Sequence, residues 1–449
     1  MKIIYVVHRF LPDSSAGTEI LTYSTAKEFL RRGHDVIVFA GYPLKKGEYA
    51  QNNFDQYFYD GLHIERFYHS YTQPIFPKNP VVSEYNNIFF AERFQKRLDE
   101  LSPDIVHFYH LQFHSASVID VCVKKQVPMV YTATDFWFIC PFHQLLLPDY
   151  RLCNGPDSNA SNCLRCMTEY YNKKLISYIL KKIPNIVLSF LLKLIKMSKE
   201  NNRHPLALFK ALAARPAYLK KRINFFKKVV VPTRHMAQKL IEFGLDQRLV
   251  MVKPYGIQKS HYENISVKGQ HQRLKLGFIG TFHPCKGAHI LLKAFQMIPS
   301  KLAVDLYMYG DTKACPEYSE KLTLLKNNDP RIHFCGTFAN EKIGEILLNI
   351  DILVVPSIWY ENAPVVISEA QAAKLPVITS NLGGLNTLVF EGVNGKLFEA
   401  GNVEQLAGII QELYNNRPLI HYLSENSKPP PSIESYADML ESIYYEAIS

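Results

Sequence analysis

The chain has 449 residues, 47% of them hydrophobic and 12% aromatic, and a formal net charge of +10. This composition excludes a disordered or low-complexity chain and provides apolar material for two or three domains of roughly 100–200 residues each. The charge is local: residues 173–228 hold fifteen Lys/Arg against one acid, Glu200, an excess of 14 that leaves −4 for the rest, so no nucleic-acid partner is expected.

The start, MKIIYVVHRF, lacks the apolar stretch of a signal peptide, which predicts a cytoplasmic chain. Lys2–Val7 reads as a buried strand. Thr18–Arg31 has helical spacing in Ile20, Tyr23, Ala26, Phe29 and Leu30, Gly33 stops it, and Asp35–Phe39 is the next strand. This is a βαβ unit. Its first loop puts Ala16, Gly17 and Thr18 where a helix begins, so their N–H groups are candidates for a bound anion; an ordinary tight turn is the alternative. Strands are predicted at Leu62–Phe67, Ile105–Phe108 and Met129–Tyr131, with helices over Glu84–Leu101 and near Ser115–Lys125. His107, His110, Thr134 and Asp135 fall at strand ends, where open α/β sheets bind ligands; hydrogen-bonded structural histidines are the alternative.

Cys140, Cys153, Cys163 and Cys166 follow in the spacing C-x12-C-x9-C-x2-C. The last pair is spaced like a metal knuckle, and four thiolates would close a structural zinc site; unligated thiols or a redox-sensitive pair are the alternatives.

In the basic segment, Ile186–Lys199 reads as a helix with a broad apolar face and a narrow strip of Ser189, Lys193 and Lys196. Its uncharged run is too short for a bilayer span of about 20 residues. An apolar face flanked by lysines predicts peripheral contact with an anionic membrane through 173–228. The alternative is a helix packed on the protein, sharing a layer with Leu206, Phe209 and Leu212.

Val229–Val231, Arg234–Phe243 and Val250–Lys253 continue the strand and helix alternation, and residues 255–272 are polar, as in a linker. A second α/β domain follows. Its strands are predicted at Leu274–Ile279, Ala303–Tyr309, Ile332–Cys335 and Ile352–Pro356, and its helices at His289–Met297 and Lys342–Leu348. Glu361 then sits at a strand's end. Pro364 suits the first position of the next helix, Asn362 and Ala363 offer N–H groups beside it, and Glu369 lies inside it. Pro429–Pro431 precedes a last helix, Ser432–Ala447.

Taken in order, the 10–19 loop, GTFHPCKG at 280–287, Asp351–Ser357, the Glu361-x7-Glu369 pair and Gly383-Gly384 resemble the retaining GT-B glycosyltransferases of family 4 type. The resemblance covers almost the whole chain. It implies two Rossmann-like domains with parallel sheets facing an interdomain cleft: residues 1–254 for the acceptor, with the Cys-rich loop 140–166 and basic insertion 171–228, and 273–428 for the nucleotide-sugar. Residues 429–449 would cross back to the first domain. By the same resemblance, Glu369 binds ribose hydroxyls and Glu361 a donor-sugar hydroxyl, both as lone-pair acceptors. Asn362, Ala363 and Pro364 flank the sugar, Lys286 pairs with the diphosphate, Gly17 and Thr18 approach it from the first domain, and His110 and Asp135 serve the reacting groups.

The implied donor is a UDP- or GDP-sugar, and the implied acceptor a glycan or lipid-linked intermediate of cell-surface glycan synthesis, used at the inner face of the cytoplasmic membrane. No Asp-x-Asp pair stands in the motifs, so no metal is expected in the chemistry. Thr281 stands where many relatives have Arg, which leaves Arg234 as a candidate phosphate partner. Thr134 replaces a common His, which shifts weight to His110, and Ala16 replaces the first Gly of a usual pair. A nucleotide-sugar epimerase and a catalytically silent nucleotide-sugar-binding protein are the rival readings. The basic apolar segment argues against the first, and the presence of Glu361 and Lys286 against the second.

Overall fold

The apolar run Lys2–Val7 becomes β1, the inner strand around which the first sheet is ordered, with Ile3 to Val7 fully buried. The structure, a computed structural model, describes residues 1–44, 53–69, 80–197, 206–258, 272–339 and 342–449. Lys199, Glu200 and Arg203 of the basic segment, and 259–271 of the expected linker, lie outside these residues. The chain divides into one unit of Met1–Pro232, Ala237–Lys253 and Glu434–Ser449, and a second of Thr233–Met236 and Pro254–Ile433.

In the first unit, β2 (Asp35–Pro43), β3 (Phe54–Tyr59), β4 (Leu62–His69), β5 (Ile105–Phe108), β6 (Met129–Thr132), β7 (Lys228–Val231) and β8 (Val250–Val252) join β1 in the order β3-β4-β2-β1-β5-β6-β7-β8. All neighbours are parallel except β3 and β4, an antiparallel edge pair. The helices are α1 (Gly17–Arg31), α2 (Pro80–Tyr85), α3 (Ile88–Leu101), α4 (Ser117–Lys125), α5 (Ser161–Tyr170), α6 (Lys174–Lys182), α7 (Asn185–Met197), α8 (Ala207–Arg222) and α9 (Arg234–Phe243), the last counted with this unit from Ala237 on.

The helix expected over Glu84–Leu101 is two helices. Asn87 breaks it by capping α3, its side chain accepting the Phe90 N–H at 3.1 Å. In α7, Leu188 and Leu192 pack with Leu164, Leu180 and Leu212, while Ile186 is 86% exposed and Met197 72%. Leu175 of α6 is 73% exposed. Among the described residues no single helix is long and apolar enough to cross a membrane; α6 and α7 pass that test only as a pair bent by 112°.

The second unit holds β9 (Leu274–Ile279), β10 (Val304–Tyr309), β11 (Ile332–Gly336), β12 (Ile352–Val355), β13 (Val377–Ser380) and β14 (Gly395–Phe398) in the all-parallel order β11-β10-β9-β12-β13-β14. Its helices are α10 (Ala288–Gln296), α11 (Pro316–Lys326), α12 (Ile343–Leu348), α13 (Val365–Ala372), α14 (Leu385–Leu388), α15 (Val403–Asn415) and α16 (Arg417–Glu425). The last helix, α17 (Ile433–Ile448), is counted with the first unit from Glu434 on. There its Tyr444 hydroxyl bonds His107 Nδ1, and its Glu441 accepts from Arg32 at 2.9 Å. Two mainly parallel sheets, each interleaved with helices, make the GT-B architecture of two Rossmann-like domains.

Candidate active site

In the second sheet the strand order reverses between β9 and β12, the kind of switch point where open α/β sheets bind ligands. The loops after these two strands carry Lys286 and Glu361. They are stitched together by the Ile358 N–H donating to Cys285 O at 2.9 Å. Gly287, at φ +73°, packs so closely on Pro356 that a Cβ would fall 1.9 Å from its carbonyl oxygen. The result is an ion pair: Lys286 Nζ donates to Glu361 Oε1 at 2.7 Å, and Ser357 Oγ donates to the same oxygen at 2.8 Å. Burial works against the Lys286 ammonium, but the Glu361 charge and hydrogen bond outweigh it and hold its pKa above the ordinary value. The ammonium also lies 5.2 Å from the Trp359 ring centroid.

Gly384 fixes the other side of this loop. Its N–H donates to Glu361 O at 2.8 Å, and a Cβ there would sit 1.9 Å from Asn362 O. Asn362 is buried, and Ala363 and Pro364 are half-buried. Pro364 is the N-cap of α13, with extended ψ of 121°, so the helix starts one residue later than the sequence suggested. The extended ψ is what delays it. Glu369 is the fifth residue of α13 and half-buried. Thr281 is exposed, as is Arg234, whose neighbour His235 sets its ring at a tilt 4.7 Å from that of Tyr360.

In the first sheet the reversal lies between β1 and β5, and the residues beyond these strands and β6 converge on Asp135. His110 Nε2 bonds Asp135 Oδ2, His143 Nδ1 lies 3.4 Å from that oxygen, and Trp137 N–H donates to Oδ1 at 2.8 Å. Burial alone would raise the Asp135 pKa; the two imidazoles reverse this and hold it well below the usual carboxylate range. The His8 ring lies tilted against His110 with centroids 4.2 Å apart, and burial pushes its pKa well down. Gly17 and Thr18 are the first two residues of α1, whose leading N–H groups have no intrahelical acceptor.

Hydrogen-bond polarity separates the two imidazoles. Gln112 N–H donates to His110 Nδ1 at 3.0 Å, so the His110 proton is on Nε2, where it meets Asp135. Both nitrogens are engaged, and the side chain is only 3% exposed. His143 is 18% exposed, and its Nδ1 faces Asp135. Among the described residues, His110, Asp135 and His143 are the one His/Cys/Asp/Glu group with ligand atoms within 4.8 Å of one another. A metal on His110 Nε2 would need the proton on Nδ1, against the Gln112 N–H, so this is a hydrogen-bonded cluster rather than a ligand set. Sequence reading passed over His143; its one signal was an imidazole three residues after Cys140. Thr134, where a histidine is common, turns its hydroxyl to Tyr109 O at 3.0 Å.

Cys140, Cys153, Cys163 and Cys166 are brought into one neighbourhood, all as free thiols. Burial raises the Cys140 and Cys163 pKa values and pushes Cys166 up to about 12.

Two family models match the chain: glycosyl transferases group 1 over residues 263–429, and glycosyltransferase family 4 over 15–187. The chain belongs to the GT-B glycosyltransferases of this family 4, group 1 type. It is 34% identical over 151 residues to an uncharacterized glycosyltransferase of Methanocaldococcus jannaschii, covering 34% of this chain and 41% of the relative. To a D-inositol 3-phosphate glycosyltransferase of Mycolicibacterium smegmatis it is 28% identical over 144 residues, 32% of this chain and 33% of the relative. The chain thus spans less than half the length of either relative. The crystal structure of Anabaena HepE in complex with UDP and glucose matches with a TM-score of 0.60 at 17% identity, covering 99% of this chain and 98% of that one.

Proposed function

We propose that this protein transfers a sugar, with retention, from a nucleoside-diphosphate sugar to a hydroxyl of a lipid-linked or polysaccharide intermediate. The observation that carries this reading is the Lys286–Glu361 pair at the second sheet's switch point, which offers a cation for phosphate and a carboxylate for sugar hydroxyls side by side. Glu369 takes the ribose, and the backbone of Asn362, Ala363 and Pro364 flanks the sugar. In the first unit, Gly17 and Thr18 open α1, and their leading N–H groups suit a bound anion. The UDP in the HepE structure supports a nucleotide-linked donor.

The new bond joins the acceptor oxygen to the sugar's anomeric carbon on the face from which the diphosphate departs. The anomeric carbon's bond to the phosphate oxygen breaks with its electron pair, and that oxygen takes the acceptor's proton. The protein's task is then electrostatic: Lys286 steadies charge growing on the diphosphate, and no metal is required for the step. On the first unit, His143 accepts a hydrogen bond from a neighbouring, non-reacting hydroxyl of the acceptor and so positions it, while His110 holds Asp135 and Asp135 holds His143. The protein works in the cytoplasm on the inner face of the membrane, where the basic apolar helices α6 and α7 rest on anionic lipid.

The test is incubation with UDP-, GDP- and ADP-sugars, with and without membrane lipid extract, followed by assay of free nucleotide and of sugar in the lipid phase. Sugar transfer only with added acceptor is expected. Isomerised donor, or tight binding without turnover, would overturn the reading.

A further inference from the structure

The connection from β6 to α5 has little regular structure. It holds one isolated bridge, Leu146 to Leu152, and left-handed backbone at His143, Leu145, Tyr150 and Ala160. Long irregular loops inside compact domains need something to tie them. Cys140 and Cys153 lie on this loop, and Cys163 and Cys166 lie at i and i+3 on α5, one face of its first turns.

Two of the four sulfurs, those of Cys140 and Cys153, accept backbone N–H groups as metal-bound thiolates do. Gly155 N–H donates to Cys153 Sγ at 3.4 Å, and the N–H groups of Phe142 and Leu145 donate to the Cys140 sulfur. In both cases the residue two positions after the cysteine turns its N–H back on the sulfur, as in a metal knuckle, and such bonds stabilise thiolate. Cys163 and Cys166 each lie within electrostatic reach of Cys140 and Cys153. Arg215, fully buried beside Cys140 and Cys163, donates to Glu84 at 2.9 Å and to Trp137 O at 2.6 Å, so a fixed cation faces the cluster. No three of the sulfurs lie within 4.8 Å of one another. Thiols do not attract each other, and a metal supplies the force that closes such a set.

We propose that Cys140, Cys153, Cys163 and Cys166 bind one structural Zn²⁺ as a tetrahedral tetrathiolate. Four soft ligands in a closed site suit zinc, and they leave no open position for catalysis. Binding releases four thiol protons to solvent, and the complex carries −2, from +2 on the metal and −4 on the thiolates. The metal ties the loop to α5. It thereby steadies His143, whose N–H donates to Cys140 O at 3.0 Å.

The test uses the full chain purified without added zinc. One zinc per chain is expected by elemental analysis. Replacement by Co²⁺ is expected to give a thiolate charge-transfer band in the near ultraviolet and strong tetrahedral ligand-field bands in the red. Cys153→Ser and Cys166→Ser should lower metal content, and Cys335→Ser, at an exposed cysteine elsewhere, should not. Cys166→His guards against a Ser variant that fails to fold: it should keep the metal with a shifted cobalt spectrum. A chain that binds no metal after reduction and incubation with zinc overturns the proposal, whether its thiols titrate freely or pair as disulfides.

Discussion

Lys286 and Glu361 meet at 2.7 Å although 75 positions separate them in the chain, and Ser357 donates to the same carboxylate oxygen. Glu361 is nearly buried while Lys286 stays partly exposed. An incoming phosphate therefore finds an ammonium already held in place, and a sugar hydroxyl finds a carboxylate fixed beside it.

Lys286→Ala should lower turnover at least about tenfold, because it removes a charge stabiliser of the departing diphosphate. It should also cost about 1–2 kcal/mol of stability, the partly screened cost of leaving Glu361 without its cation. Steady-state kinetics and urea unfolding measure the two effects. Unchanged turnover would contradict the assigned role.

Gly384→Ala tests the loop from its other side. The added Cβ would collide with the carbonyl oxygens of Asn362 and Glu361 and push the loop away. Donor affinity should drop at least about tenfold, or about 1.4 kcal/mol, with the fold kept. Calorimetric titration with a nucleotide-sugar reads this, and wild-type affinity would show that the loop's position is not what binds donor.

His143→Ala should reduce turnover about tenfold, the scale of one hydrogen bond to a positioned hydroxyl, while nucleotide binding stays at the wild-type level. His110→Ala should act less directly, by freeing Asp135 to turn. A His143 variant with full turnover would return the acceptor-side role to His110.

Stability should weaken on mild acidification. Burial lowers the pKa of His69 to about 4, and of His107 and His114 to about 3, against about 6.5 for an unfolded histidine. Below pH 6.5 the unfolded chain binds more protons than the folded one, so stability is full above that value and falls as pH drops. Urea midpoints taken from pH 7.5 to 5 should show a loss of at least about 1 kcal/mol per unit below 6.5. A flat profile would mean that these histidines are protonated in the native state.

Flotation with anionic vesicles tests α6 and α7. Phe190 and Leu194 are exposed, and Phe190→Ser with Leu194→Ser should reduce flotation, as should removal of lysines from 173–228, each worth about 1 kcal/mol near anionic lipid. Equal flotation of wild type and variants would remove the membrane contact. The sequence offered a lipid-facing helix and a packed helix as alternatives, and α7 packs one side on the protein and leaves another exposed. Leu188 and Leu192 face the protein while Ile186 and Met197 do not, a division that hydrophobic spacing alone cannot make on so broad an apolar face.

Much of the scaffold was legible because periodicity is local. β1, β5, β9 and α1 stand within a residue of where apolar spacing put them, and the ordered motifs from Gly280 to Gly384 marked the GT-B family. Local signals failed where another segment decided the outcome. The edge strand β3 went unread: its inner neighbour β4 supplies the pairing, and its own residues alternate only weakly in burial. The break at Asn87 depends on a side chain that caps one helix, and on a backbone N–H held by Ser115 Oγ at 2.8 Å.

The sequence by itself determined the alternation of strands and helices, the strand ends that carry Glu361, His110 and Asp135, and the concentration of charge in 173–228. Each depends on residues close together in the chain. Only the tertiary structure decided that Lys286 pairs with Glu361 and that His143 shares Asp135 with His110. Those contacts exist because strand order and left-handed loop backbone bring distant residues to one edge of a sheet, and neither is encoded in the spacing of neighbours.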